Sequence, residues 1–350
     1  EDTGSRNIAI GYGSLETQNY DGSAYNVAVG YDSGKAITTG INNTLIGGLA
    51  GDALSTGGSN VAIGKSALSL EDTGSKAVAV GFGTLANQNY AGDSYNVAMG
   101  YQAGNDITTG TDNTIIGGLA GDALTTGALN VAVGKAALGS EDTGSANVAI
   151  GHAALMNQNY DGSAYNTAVG HNAGTSVTTG VNNTLIGGSS GYALTTGSYS
   201  TGLGFNVLAT ETTNSHNTAI GYASMSSTEL SAKNVAVGSN TLQNLTNSSS
   251  TDTYNTAVGY NAGINVTTGV SNTFLGGQAG DAITTAGYSV AIGHLALTNE
   301  DTGQYNTAIG YKALFVQDGG VANTVLGFQA GSAVSTGDDN TIIGGEAGDA

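Results

Sequence analysis

The chain has 350 residues with no Cys, no Pro and no Trp, and it carries a formal net charge of −19 from 26 acidic and seven basic residues. The absence of Cys excludes a disulfide framework and thiol or Cys-metal chemistry. The acidity excludes the basic patches that nucleic acid and anionic membranes require, and no stretch is long and apolar enough for a membrane helix.

Taken in chain order, every predicted element is the same short strand ending at a glycine. The pivots run Gly11, Gly30, Gly47, Gly64, Gly81, Gly100, Gly117, Gly134, Gly151, Gly170 and Gly187, and continue to Gly344. There are 20 of them, and 15 of the 19 gaps are 17 residues; the gaps after Gly11, Gly81 and Gly151 are 19, and the gap after Gly238 is 21. A fixed period of this size is the signature of a solenoid. The expected fold is therefore all-β, a parallel β-solenoid of about 20 coils occupying residues 1–350 as one array. At ~4.8 Å per coil the stack would extend roughly 95 Å.

Each frame reads as Asn60-Val61-Ala62-Ile63-Gly64 does. The residue before the pivot is Ile, Val, Leu or Met in all 20 copies, and three before it stands Val, Ile or Thr. These two positions share a strand face, since side chains alternate, and their β-branched character suits a pleated surface. That face is expected to be the coil interior. The position two before the pivot, on the opposite face, is Ala in 13 copies and bulky in six (Leu45, Ile115, Leu185, Phe274, Val325, Ile342). A strand apolar on both faces is covered on both, so this second face is expected to be covered by another copy of the chain.

Beyond the pivot the coils fall into two classes. Four residues on, ten copies carry Leu or Met (Leu15, Leu68, Met225) and ten carry Gly (Gly34, Gly51, Gly104), mostly in alternating pairs. Four coils make a 70-residue super-repeat, visible as Glu1-Asp2-Thr3-Gly4, Glu71-Asp72-Thr73-Gly74 and Glu141-Asp142-Thr143-Gly144. Five of the six bulky residues belong to coils whose pivot is a Gly-Gly pair, such as Leu45 with Gly47-Gly48, which reads as an exchange of volume. The Ile37-Thr38-Thr39-Gly40 segment and its equivalents predict a second short strand closed by a glycine turn. The Asn four before the pivot, present in 17 copies, predicts an amide ladder that also caps turn backbone. The chain begins and ends inside a coil and reads as a window of a longer protein.

The slot after each pivot holds the candidate ligand contacts: Tyr12, Tyr31, Tyr101, His152, His171, Tyr222, Tyr260, His294 and Tyr311. Exposed rings there could stack on the apolar faces of sugars, or pack along the coil edge. His152 and His171 lie on consecutive coils, but two imidazoles without carboxylate or Cys support make a weak metal site. The Asn19-Tyr20-Asp21-Gly22-Ser23 segment reads as a protruding solvated loop rather than a calcium loop, having too few carboxylates and no closing Glu. The irregular stretch Gln243 to Thr253 is the best candidate for a local functional loop. No cofactor is implied. Paired catalytic carboxylates would have to break the repeat, and no coil does so convincingly.

The Asn-Val-Ala-Ile-Gly frame with a small residue three positions on (Ala67 after Gly64, Ala137 after Gly134) resembles the YadA-like head repeat of trimeric autotransporter adhesins. The variant Asn255-Thr256-Ala257-Val258-Gly259-Tyr260-Asn261-Ala262-Gly263, continuing to Thr267-Thr268-Gly269, is similar to repeats of phage and bacterial tail fibres. The resemblance implies a left-handed β-roll in which three chains pack side by side as a homotrimer. It further implies an extracellular place, on a bacterial cell surface or a phage virion fibre. The expected function is a non-enzymatic structural and adhesive fibre meeting a surface receptor. The alternative is a polysaccharide-binding module using the aromatic ladder.

Overall fold

The computed structural model describes residues 5–349, and the chain divides into two compact units at Thr179 and Gly180. Both are parallel β-solenoids with one three-residue strand per coil, and no helix forms among the described residues. In the first unit ten strands, from Ile8–Ile10 to Thr167–Val169, pair coil to coil in register, as in Val61↔Val78, Ala62↔Ala79 and Ile63↔Val80. In the second, ten more run from Thr184–Ile186 to Thr341–Ile343 in the same manner. The 21-residue coil adds a side sheet, in which Thr246–Asp252 pairs with Glu229–Ala232 through an irregularity between Glu229 and Ser231.

The pivot glycine is dictated by two constraints. At Gly47 φ is +137°, and a Cβ there would stand 2.5 Å from the carbonyl oxygen of Gly64 in the next coil. Only glycine accepts both the backbone angle and that approach. The rest of the coil alternates into left-handed backbone even at bulky residues: Leu68 has φ 53°, Leu85 48° and Leu138 53°. Gly34, Gly51 and Gly104 occupy the same position at 58°, 54° and 56°, so the two coil classes share one backbone path.

The two strand faces are inverted relative to expectation. Every residue two before a pivot, from Ala28 to Val325, is buried, whereas the residues one and three before it are half-buried or exposed throughout. The alternation was legible, but the side was not. A coil closed by a three-residue strand is narrow. In a Leu coil the leucine four after the pivot and the side chain seven after it, such as Leu68 and Glu71, already occupy the interior. They leave room for no more than an alanine opposite them, so the β-branched residues point out.

Volume exchange does operate, but inside the coil. Where a bulky residue replaces the alanine, the glycine four after the pivot makes room: a Cβ on Gly51 would meet Leu45 Cδ2 at 3.0 Å, and one on Gly280 would meet Phe274 Cε1 at 2.5 Å. The second glycine of the Gly-Gly pair has no part in this, since a Cβ on Gly118 would meet nothing within 4 Å. Seven residues after the pivot, Gly coils bury Ile37, Leu54, Ile107 and Leu124, while Leu coils bury Gln18, Glu71, Gln88, Glu141 and Gln158.

The asparagine ladder forms and has two functions. Asn43 accepts from the backbone N–H of Asn60 at 3.0 Å, and its Nδ2 donates to the carbonyl of Gly57 at 3.0 Å. The first bond joins adjacent coils and the second closes a coil on itself. Ser289 keeps the relay with its Oγ, which accepts from Asn306 N–H at 3.3 Å. The second strand expected at Thr38-Thr39-Gly40 is instead a bend, although Thr38 N–H still bonds the Ser55 carbonyl of the next coil at 2.9 Å.

Candidate functional site: the strand face and its aromatic columns

Because each strand lies in register on the next, every position becomes a column. The outward strand face presents Ile10 (60% exposed), Ile46, Met99 and Ile150 (38%) in the first unit, and Leu203, Leu275, Leu326 and Ile343 in the second. An apolar sheet surface of this continuity is exceptional on a solvated protein. It is bracketed in sequence by two exposed columns.

The first column follows the pivot and contains all nine expected contacts. Tyr12 stacks on Tyr31 with centroids 5.7 Å apart, His152 on His171 at 5.2 Å, and His294 on Tyr311 at 5.8 Å. Tyr101 stacks on Phe82 at 5.5 Å and Tyr222 on Phe205 at 6.0 Å, while Tyr260 is exposed without a ring partner among these stacks. The rings lie within 10–21° of parallel. Stacked this way, they turn their faces toward neighbouring coils and their edges to solvent. A sugar therefore meets a ring face only where the stack is interrupted. The two imidazoles are stacked on one another, and no group of three or more metal-binding side chains is assembled among the described residues.

The second column, five before the pivot, was missed by sequence reasoning. It contains Tyr25, Tyr95, Tyr165, Tyr199, Tyr254, Tyr288 and Tyr305, all exposed and all in left-handed backbone, with φ from 50° to 61°. Tyr288 stacks on Tyr305 at 5.3 Å and Tyr199 on His216 at 5.0 Å. Elsewhere a cation takes the place of the ring. Arg6 lies 5.4 Å from the Tyr25 centroid, Lys76 5.0 Å from Tyr95, and Lys233 5.3 Å from Tyr254. The available signal was the repeated cation one coil before a tyrosine, outside the strand frame.

Lys76 donates to Asp93 at 2.7 Å and to Tyr95 Oη at 2.9 Å, and Lys233 donates to Asp252 at 2.6 Å. The hydrogen bond to Asp93 raises the Lys76 ammonium above its ordinary value and holds Asp93 below its own; Lys233 and Asp252 repeat this. Being exposed, these pairs set orientation more than stability.

The acidic interior column is sealed from ligands. Glu71 accepts from Gly74 N–H at 2.7 Å, Gln88 Nε2 at 3.1 Å and Tyr90 N–H at 3.3 Å. Burial pushes Glu211 up to about 8 despite bonds from Asn214 and Asn217. These carboxyls close turns inside the coil.

The Asn19 to Ser23 loop keeps Asp21 exposed, and Ser23 bridges to Ser5. The Gln243 to Thr253 stretch is the side-sheet strand with its approach, and the side chains of 248–250 lie outside the described residues. No helix among the described residues is long and apolar enough to cross a membrane. No protein-family model and no curated protein matches the chain.

Proposed function

We propose that the chain is a non-enzymatic, extracellular structural and adhesive protein: a left-handed β-roll whose copies associate side by side as a homotrimer. We place it on a bacterial cell surface or a phage virion, where it meets a surface receptor. The observation that carries this reading is the outward strand face, which sets an aliphatic residue just before the pivot in every coil and leaves it half-buried or exposed among the described residues. Burying such columns against identical columns of other copies satisfies all of them at once, as cyclic symmetry allows. Each coil interior is narrow and alanine-rich, so association would supply the apolar burial that a single chain lacks. The acidic exterior would keep the assembly soluble.

Light scattering tests this directly. The expected mass is about three times the 34.4 kDa chain. Ile150→Lys, which adds a charge to the outward face, is expected to yield a folded monomer. A stable wild-type monomer at micromolar concentration would refute the reading.

A second reading, recognition of polysaccharide, is favoured by the two exposed aromatic columns. Their edges, hydroxyls and paired cations suit hydrated ligands, and their ring faces are accessible at interruptions.

A further inference from the structure

The column after the pivot is interrupted at regular places, and the glycines there are not demanded by the backbone. In the first unit it runs Tyr31, Gly48, Lys65 on three successive coils, and again Tyr101, Gly118, Lys135 four coils later. Unlike the pivots, Gly48 and Gly118 have no positive φ. A Cβ on Gly118 would meet nothing within 4 Å, and one on Gly48 only the Tyr31 carbonyl oxygen at 3.9 Å. The coil-to-coil hydrogen bonds pass through undisturbed, with Leu49 N–H to Tyr31 O at 2.9 Å and Ser66 N–H to Gly48 O at 3.0 Å. Any side chain would be accommodated, and none is there.

The result is one missing ring in a stack. Tyr31 stacks on Tyr12 through one face only, and Tyr101 on Phe82 likewise. Their exposures, 58% and 56%, compare with 39% for Tyr311, which is sandwiched between His294 and Phe328. Across the interruption the walls stand two coil rises apart, ~9.6 Å, which admits one flat ring at the stacking distance of the column. The far wall is a lysine in both cases. Lys65 and Lys135 are exposed and form no ion pair among the described residues, unlike Lys35, Lys76 and Lys233. The Lys65 ammonium rests 6.0 Å from the Phe82 centroid, a contact that leaves its charge unneutralised. In the second unit a Cβ on Gly188 would lie 3.2 Å from Phe205 Cδ2 and one on Gly277 3.4 Å from His294 Cδ2, and neither glycine is followed one coil on by a lysine.

We infer that the interruptions at Gly48 and Gly118 are binding slots for a carboxylate-bearing pyranose, one sugar ring per slot, within an acidic polysaccharide. The sugar's apolar face stacks on Tyr31 or Tyr101, its hydroxyl edge stays hydrated at the open side, and its carboxylate meets Lys65 or Lys135. Beside Tyr31 the carboxylate of Asp32 is paired with Lys35 at 3.2 Å, and the residue beside Tyr101 is the neutral Gln102. Acidic groups farther off are screened beyond ~8 Å at physiological salt, so the adjacent ammonium decides the sign. This rests on the polysaccharide-recognition reading and is independent of the assembly reading.

The test is calorimetric titration of the intact protein with an oligogalacturonate, with a maltooligosaccharide of equal length as the neutral probe. Light scattering and circular dichroism are recorded on the same samples, so that failure of assembly is seen separately from failure of binding. The wild type should bind the acidic probe, and more weakly as salt rises. Gly48→Phe with Gly118→Phe completes the stack and should weaken binding about tenfold or more, with fold and mass unchanged. Lys65→Gln with Lys135→Gln should weaken it about tenfold and flatten its salt dependence. The inference is overturned if the acidic probe does not bind, if the neutral probe binds equally well, or if the filled slots bind as the wild type does. It is also overturned if filling them lowers the assembled mass, because the slots would then receive a neighbouring chain.

Discussion

If the two coil classes are alternative packings of one backbone, a Gly coil should convert into a Leu coil by exchanging two side chains. The coil with its pivot at Gly276 is the place to try. Phe274 is fully buried, and a Cβ on Gly280 would stand 2.5 Å from its Cε1. Phe274→Ala alone leaves a cavity and should cost about 3–5 kcal/mol per chain. Gly280→Leu alone overpacks the ring by about 1–3 kcal/mol and places a leucine at φ 60°, adding about 1–2 kcal/mol. The double variant, Phe274→Ala with Gly280→Leu, sets an alanine and a leucine beside Ile283 in the interior. That is nearly the set which the coil of Gly238 already uses as Ala236, Leu242 and Leu245. Phe274 also lies over Gly263, where a Cβ would meet its Cδ2 at 2.7 Å, so part of its volume stays empty. The left-handed strain and that residual cavity should remain, about 3–5 kcal/mol, and the two changes should couple favourably by about 2–5 kcal/mol. Urea unfolding of the four proteins at one fixed chain concentration measures the cycle. Additive costs would mean that Phe274 and Gly280 do not share a volume, and would falsify the exchange.

Other expectations follow from single contacts. Ala132→Lys should unfold its coil, because Ala132 is fully buried, whereas Ile150→Lys should lower the mass and leave the fold intact; circular dichroism with light scattering separates the two outcomes. Asn130→Ala orphans the Asn147 N–H and the Gly144 carbonyl, which Asn130 bonds at 3.0 and 2.9 Å, and should cost about 2–5 kcal/mol. Hydrogen exchange should show that loss concentrated on the adjoining coils, with Asn130→Ser milder because a serine hydroxyl can accept the same N–H. Glu211 has a folded value near 8, above its ordinary 4.5, so its protonated form is the one the fold prefers. Its contribution is therefore best below pH 4.5 and worsens as pH rises to about 8. Glu211→Gln should flatten that decline and stabilise the protein at neutral pH by on the order of 2 kcal/mol, read from denaturation midpoints across that range.

The period, the pivots, the asparagine ladder and the two coil classes were all legible, because each is a spacing, and spacing survives without coordinates. The side of the strand was not. Period-two alternation separates Ile63 and Val61 from Ala62 but is blind to which group points inward. That depends on how much room Leu68 and Glu71 leave, a property of the closed coil. The aromatic column after the pivot was legible because it adjoins an invariant glycine. Tyr25 and its equivalents were not, since they sit in a left-handed turn that apolar periodicity does not mark.

The asparagine ladder also has a direction. In coils such as that of Asn113 the side-chain amide clasps a carbonyl 14 residues later, that of Gly127, and its oxygen receives the N–H of the asparagine ahead, Asn130. The acceptor always belongs to the earlier coil and the donor to the later one. A chain emerging from the ribosome N-terminus first thus finds each acceptor already fixed by the coil just completed. For the ladder, every finished coil is thus the template on which the next is wound.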